Sequence, residues 1–85
     1  DYIFVGKVLS HGEKGRARVG VRNKICKGDE IEILTKQGPS MTETVCDIVD
    51  TNGASVHFAQ PGSEVTITLS SDCLPNDLLI KRPDG

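Results

Sequence analysis

Arg16, Arg18 and Arg22 recur at even spacing in Arg16-Ala17-Arg18-Val19-Gly20-Val21-Arg22, the period that sends alternate side chains of an extended strand to opposite faces. Three forked guanidiniums on one face, with Asn23, Lys24 and Lys27 just beyond them, have the chemistry to hold successive phosphates or carboxylates. The same stripe also fits a solvated outer face, or a patch that docks on an acidic neighbouring domain. The formal net charge of −2 and the lack of aromatic residues interleaved with the arginines weigh against a free-standing nucleic-acid binder. The charge is unevenly spread. Lys7, Lys14, Arg16, Arg18, Arg22, Lys24 and Lys27 face only Asp1 and Glu13 in the first part of the chain, whereas from Asp29 to Asp77 Lys36 is the only base among many acids.

No catalytic set stands beside this stripe. His11, His57, Cys26, Cys46 and Cys73 carry zinc-binding atoms, but no two of them have the close spacing of a structural zinc site. Cys46 reads as a small packed apolar side chain, and Cys26 and Cys73, next to turns, as ordinary thiols. Ser40, Ser70 and Ser71 lack a Gly-x-Ser-x-Gly elbow, and the paired acids Asp29 and Glu30 flank a turn. No catalytic residue, metal ligand or cofactor is assigned.

The elements that must position the basic stripe are strands. Lys27-Gly28-Asp29-Glu30-Ile31-Glu32-Ile33-Leu34 recurs as Pro61-Gly62-Ser63-Glu64-Val65-Thr66-Ile67-Thr68-Leu69. Each copy is a glycine turn leading into a strand, with Ile31 and Ile33, or Val65, Ile67 and Leu69, on one face. A strand over Tyr2–Ser10 is joined to one over Arg16–Arg22 by His11-Gly12-Glu13-Lys14-Gly15, with Ala17, Val19 and Val21 turned inward. Tyr2 and Phe4 share a face, where they are expected to pack against or cap the core. A third strand over Glu30–Thr35 passes through a Lys36–Ser40 loop to a fourth over Met41–Val49. The Asn52-Gly53 pair predicts a type I′ hairpin returning along Ser55–Ala59, with Val56 and Phe58 on one face. After Glu64–Leu69, a turn or 3₁₀ segment over Ser70–Asp77 leads to a last strand at Leu78–Lys81. No helical period is visible.

A chain of 85 residues makes one domain with a thin core, leaving little room for an enclosed active site. Six or seven short strands with one Tyr and two Phe predict a small all-β fold, a closed or distorted antiparallel barrel filled by aliphatic side chains. The chain opens at Asp1 directly into an apolar strand, which reads as a piece of a longer protein. No window is long and apolar enough for a membrane helix, and three widely spaced cysteines fit a reducing cytoplasm rather than a disulfide framework.

The run Tyr2-Ile3-Phe4-Val5-Gly6-Lys7-Val8-Leu9, followed by Val21-Arg22-Asn23-Lys24-Ile25-Cys26-Lys27-Gly28-Asp29-Glu30-Ile31-Glu32, resembles the C-terminal domain of peptidase family U32, whose members are often labelled collagenase-like proteases. The resemblance continues through the Thr35–Pro39 loop and the Asn52-Gly53 and Pro61-Gly62 turns to Leu78-Leu79-Ile80-Lys81. It implies a barrel like those of translation elongation factors, attached after a TIM-barrel-like catalytic domain that holds the family's cysteine and histidine motifs; none of those motifs is in this chain. The wider family is tied to proteolysis and also to hydroxylation of transfer or ribosomal RNA, in some members with iron–sulfur clusters. Residues 1–85 are then expected to be a single non-catalytic accessory domain of a hydrolase-like parent, positioning substrate or closing over the catalytic domain. Its expected partners are that N-terminal catalytic domain and a peptide or tRNA substrate, with no membrane and no cofactor. The alternative is an RNA-binding module of a tRNA-modification protein. The partner-binding candidates are Arg16, Arg18, Arg22, Asn23, Lys24 and Lys27; Gly28, Asp29, Asn52, Gly53, Pro61 and Gly62 are expected to shape the turns.

Overall fold

Alternation along the chain becomes an antiparallel sheet wherever one face can be buried. A computed structural model describes residues 2–36 and 38–82. Its strands are β1 (Ile3–His11), β2 (Arg16–Val21), β3 (Ile25–Cys26), β4 (Glu30–Leu34), β5 (Met41–Thr44), β6 (Asp47–Val49), β7 (Phe58–Ala59), β8 (Glu64–Thr68) and β9 (Leu78–Lys81). Seven of them form a curled antiparallel sheet in the order β5-β4-β9-β1-β2-β8-β6, and β3 and β7 make a separate two-stranded ribbon. The described residues contain no helix, hence none long and apolar enough to cross a membrane. The architecture is all-β, a half-barrel of antiparallel strands.

The core is almost wholly aliphatic. Val5, Val8, Ala17, Val19, Ile25, Ile33, Val45, Ile48, Ile67 and Leu79 are fully buried. Tyr2, Phe4 and Phe58 lie outside, at 56%, 36% and 44% exposure, which corrects the expectation that Tyr2 and Phe4 pack against or cap the core. A bulge explains the placement. Strand β1 carries an extra residue at Val5 in its pairing with β9 and another at Leu9 in its pairing with β2, so Val5 and Gly6 are both buried while Phe4 stays on the outer side.

The sequence repeat is a structural one. In the first copy Asp29 N–H donates to Cys26 O at 3.0 Å around Gly28 (φ +92°), and in the second Ser63 N–H donates to Gln60 O at 3.2 Å around Gly62 (φ +88°). A positive φ at the third position is the signature of a type II turn, and Pro61 supplies the proline favoured at its second. Both copies fasten to a buried valine in the same way. Gly28 N–H donates to Val45 O and Val45 N–H to Asp29 O; Gly62 N–H donates to Val21 O and Val21 N–H to Ser63 O. The strands entering the two turns, β3 and β7, pair with each other through Ile25 opposite Ala59 and Cys26 opposite Phe58.

Two expected strands divide. Met41–Val49 bends after Thr44, so that β5 pairs with β4 at one edge of the sheet and β6 with β8 at the other. The bend is pinned at Val45, whose amide and carbonyl both serve the Gly28 turn. The segment after Asn52-Gly53 forms a single bridge, Val49 to Ser55, before the chain leaves to build β7. The turn is also not type I′, because Gly53 has φ +83° while Asn52 does not have a positive φ. Asp50 decides this: its Oδ1 accepts the amides of Asn52 (2.9 Å) and Ala54 (3.0 Å), holding Thr51-Asn52 in a right-handed turn. Asp50→Ala is expected to lower stability by about 1 kcal/mol. Asn52→Ala, which disturbs no left-handed residue, should stay within a few tenths in the same urea titration; equal losses would restore the type I′ assignment.

Candidate partner-binding surface

The arginine stripe shares one face of β2 but does not form a continuous row. Arg18 Nη2 lies 2.9 Å from Glu64 Oε1 on the neighbouring β8, with both side chains about half exposed at 56% and 47%. A pair so open to water contributes little stability, yet it cancels the charge at the centre of the stripe. Next along the strand, Gly20 leaves a gap beside which Leu9 stands, its Cδ1 3.7 Å from where a Cβ would lie. Arg22 turns onto Phe4, with Cζ 5.9 Å from the ring centroid. Arg16 lies at the opposite end of the strand, beside the β1–β2 loop. Lys27 is exposed, and its backbone N–H donates to His57 O at 2.8 Å.

Around Arg22 the candidates do converge. Asn23 Nδ2 donates to Phe4 O at 2.7 Å, Lys24 Nζ sits 4.6 Å over the Phe58 ring, and Lys24 O accepts from Lys81 Nζ at 3.1 Å. Lys81 Nζ also reaches Asp29 Oδ2 at 3.3 Å. Beside them, Arg82 lies over Tyr2 at 5.8 Å and meets Glu32 at 3.6 Å. Three exposed rings therefore each carry a cation, contacts worth about 0.5–1 kcal/mol apiece at exposed sites. Phe4, Ile80 and Glu32 are in register across β1, β9 and β4. Ile80, 8% exposed and outside the main core cluster, is buried on this outer side. The aromatic members were not identified from sequence, because the interleaving of rings with cations arises across strands. The available signal was the Tyr2-x-Phe4 pair on a strand whose core face is complete without it.

Residues 1–80 match the family model described as Peptidase family U32 C-terminal domain. The chain belongs to this family. Two crystal structures of the C-terminal domain of a U32-family protein from Geobacillus thermoleovorans have the same fold. One, a selenomethionine variant, is 28% identical, covers 93% of this chain and 99% of its own, and superposes with a TM-score of 0.84. The other is also 28% identical, covers 89% of this chain and 88% of its own, and has a TM-score of 0.82. A search of curated proteins finds no match.

The remaining titratable groups of this U32 C-terminal domain hold the fold in place. The buried Cys73 thiol is pushed up to about 11, first by burial and then by Asp77, Asp72 and Glu43 nearby, so it stays protonated at neutral pH and is a poor nucleophile. Cys46 is exposed and its Sγ donates to Thr44 O at 3.5 Å. The expected roles of these two cysteines are thus reversed, since alternation buries Glu43 and Val45 and turns Cys46 outward with Thr42 and Thr44. Cys26 lies opposite Phe58 on the ribbon, one residue from His57. No hydrogen bond joins that thiol and imidazole among the described residues, nor do any three His, Cys, Asp or Glu side chains there cluster as for a metal. Asp29 closes its own turn, Oδ2 accepting from Cys26 N–H at 2.8 Å.

Proposed function

We propose that this U32 C-terminal domain is a non-catalytic accessory domain that positions substrate for, or closes over, the catalytic domain of a cytoplasmic parent. One observation carries the reading: the recognition groups, three rings each under a cation, stand on the outside of a sheet whose interior is aliphatic. Such groups supply contact area and charge to a partner surface and contain no nucleophile paired with a base. Removing the domain from a U32 parent is expected to lower kcat/KM at least about tenfold, a loss of about 1.4 kcal/mol of transition-state binding. A truncated parent with unchanged kcat/KM and stability would overturn the reading.

The same rings favour a second reading, an RNA-binding module, because aromatic faces beside cations can stack bases. The ion pair of Arg18 with Glu64 counts against it by breaking the cationic track. Unmodified tRNA titrated into the isotopically labelled domain separates the two. RNA binding requires shifts at Arg22, Lys24, Phe4 and Phe58 that weaken steeply with salt; a flat titration leaves the docking reading.

A further inference from the structure

Between β1 and β2, beside the Pro61-Gly62 turn, Phe4, Lys7, Leu9, Gly20, Arg22 and Glu64 line a groove of about 440 Å³. It exists because Lys7, Gly20 and Glu64 are in register across β1, β2 and β8. The row therefore has a cation at one end, an acid at the other and no side chain between. Its apolar wall is Phe4 and Leu9, the latter exposed at 45% because it follows buried Val8 on the outer side of β1. Neither Lys7 nor Arg22 has an ion-pair partner among the described residues, whereas Glu64 is already held by Arg18. The unmet charge facing the groove is therefore positive and local, next to the exposed Leu9 and the Phe4 ring on which Arg22 lies.

We infer that this groove binds an extended peptide segment in which an acidic side chain neighbours an aliphatic one. The carboxylate is received between Lys7 and Arg22, and the aliphatic group rests on Phe4 and Leu9. The inference rests on the substrate-positioning reading and names the substrate chemistry. A peptide fits better than a nucleic acid strand because one carboxylate satisfies the two free cations, whereas a run of phosphates would be carried toward Glu64 on the opposite wall.

The test is an amide-shift titration of the labelled domain, whose Geobacillus relatives crystallise as this domain alone. The probe is the blocked peptide acetyl-Gly-Leu-Asp-Leu-Gly-amide, with its Asn counterpart as control and a single-stranded oligouridylate as rival. Shifts centred on Lys7, Leu9, Gly20 and Arg22 are expected. Binding should weaken roughly threefold to tenfold for the Asn peptide, for Lys7→Gln and for Arg22→Gln, and remain unchanged for Leu74→Ala, an exposed side chain outside the groove. Gly20→Ser guards against loss of fold as the explanation, because a Cβ there meets nothing nearer than 3.7 Å; the folded variant should have its groove floor filled and bind the peptide less well. Shifts confined to Phe58 and Lys24 would overturn the groove while leaving substrate positioning standing. A groove that prefers the oligouridylate, or equal affinity for the Asp and Asn peptides, would overturn the inference. Silence from both probes would also overturn it, leaving docking on the catalytic domain as the surviving form of the accessory reading.

Discussion

Gly15→Ala is expected to lower stability by about 3–5 kcal/mol, a large part of the roughly 4–13 kcal/mol that a domain this size has in total. Gly15 ends the β1–β2 loop at φ +74°, following Lys14 at φ +59°. A Cβ there would lie 2.0 Å from Leu69 O and 3.0 Å from Leu69 C, positions closed to any side chain. The obstruction is backbone, so no rotamer change relieves it. Moving it breaks the bond from Leu69 N–H to Gly15 O at 2.9 Å and strains the one from Gly15 N–H to Asp72 Oδ1 at 3.2 Å. Gly62→Ala is the matched control. It has a similar φ of +88° but nothing within 4 Å of the added carbon, so only the left-handed conformation opposes it, at about 1–2 kcal/mol. Urea midpoints at constant slope measure both losses. Equal losses would mean that the packing of the loop on Leu69 contributes nothing.

The contrast marks what could be read from the chain. Gly28 and Gly62 were legible because a local pattern, turn then alternating strand, is written beside each of them. Gly15 was legible as a loop residue, but its partner Leu69 is brought near only when β8 pairs with β2, and nothing in the loop encodes that contact. The inward faces of β2, β4 and β8 followed from alternation, since Ala17, Val19, Ile31, Ile33, Val65 and Ile67 are all buried, whereas the partner of each strand beyond the β1–β2 hairpin did not. Phe58–Ala59 escaped for the opposite reason. The Asn52-Gly53 signal favours a local return strand, yet the chain meets β3 instead, where Ala59 opposite Ile25 adds to the core.

The surface was legible by half. Period two placed Arg16, Arg18 and Arg22 on one face; Arg16 and Arg18 do point outward from β2, and Arg22 is exposed just past its end. Spacing cannot show that Glu64 on β8 neutralises the middle arginine, or that Leu9 stands beside Gly20. Tyr2 and Phe4 were expected to pack against or cap the core, and Phe58 was placed only on a strand face with Val56. With the aliphatic residues filling the interior, three aromatic side chains are left over for the outside, and it is their company of cations that gives this surface a chemistry.

Stability of the wild-type domain is expected to fall as pH drops below the ordinary glutamate value, and Glu43 is expected to cause a measurable part of the fall. Glu43 is 7% exposed, and its Oε1 accepts from Ser70 N–H at 2.8 Å and from Ser70 Oγ at 2.5 Å. Burial by itself raises its pKa, but hydrogen bonds from Ser70 and Ser71 together outweigh burial and hold it below its ordinary value of 4.5. A carboxyl whose folded pKa is depressed binds protons more readily in the unfolded chain. Its contribution is therefore complete above the unfolded value and is lost as pH falls through the folded one. Glu43→Gln keeps an acceptor but cannot titrate, so its stability should change less between pH 7 and 3 than that of the wild type. Glu43→Ala should cost about 1–3 kcal/mol at pH 7, since it leaves the Ser70 amide and hydroxyl without their acceptor and frees the Ser70–Ser71 loop from β5. Thermal unfolding of the three proteins across that pH range decides the matter. Parallel curves for wild type and Glu43→Gln would show that the acid sensitivity lies elsewhere.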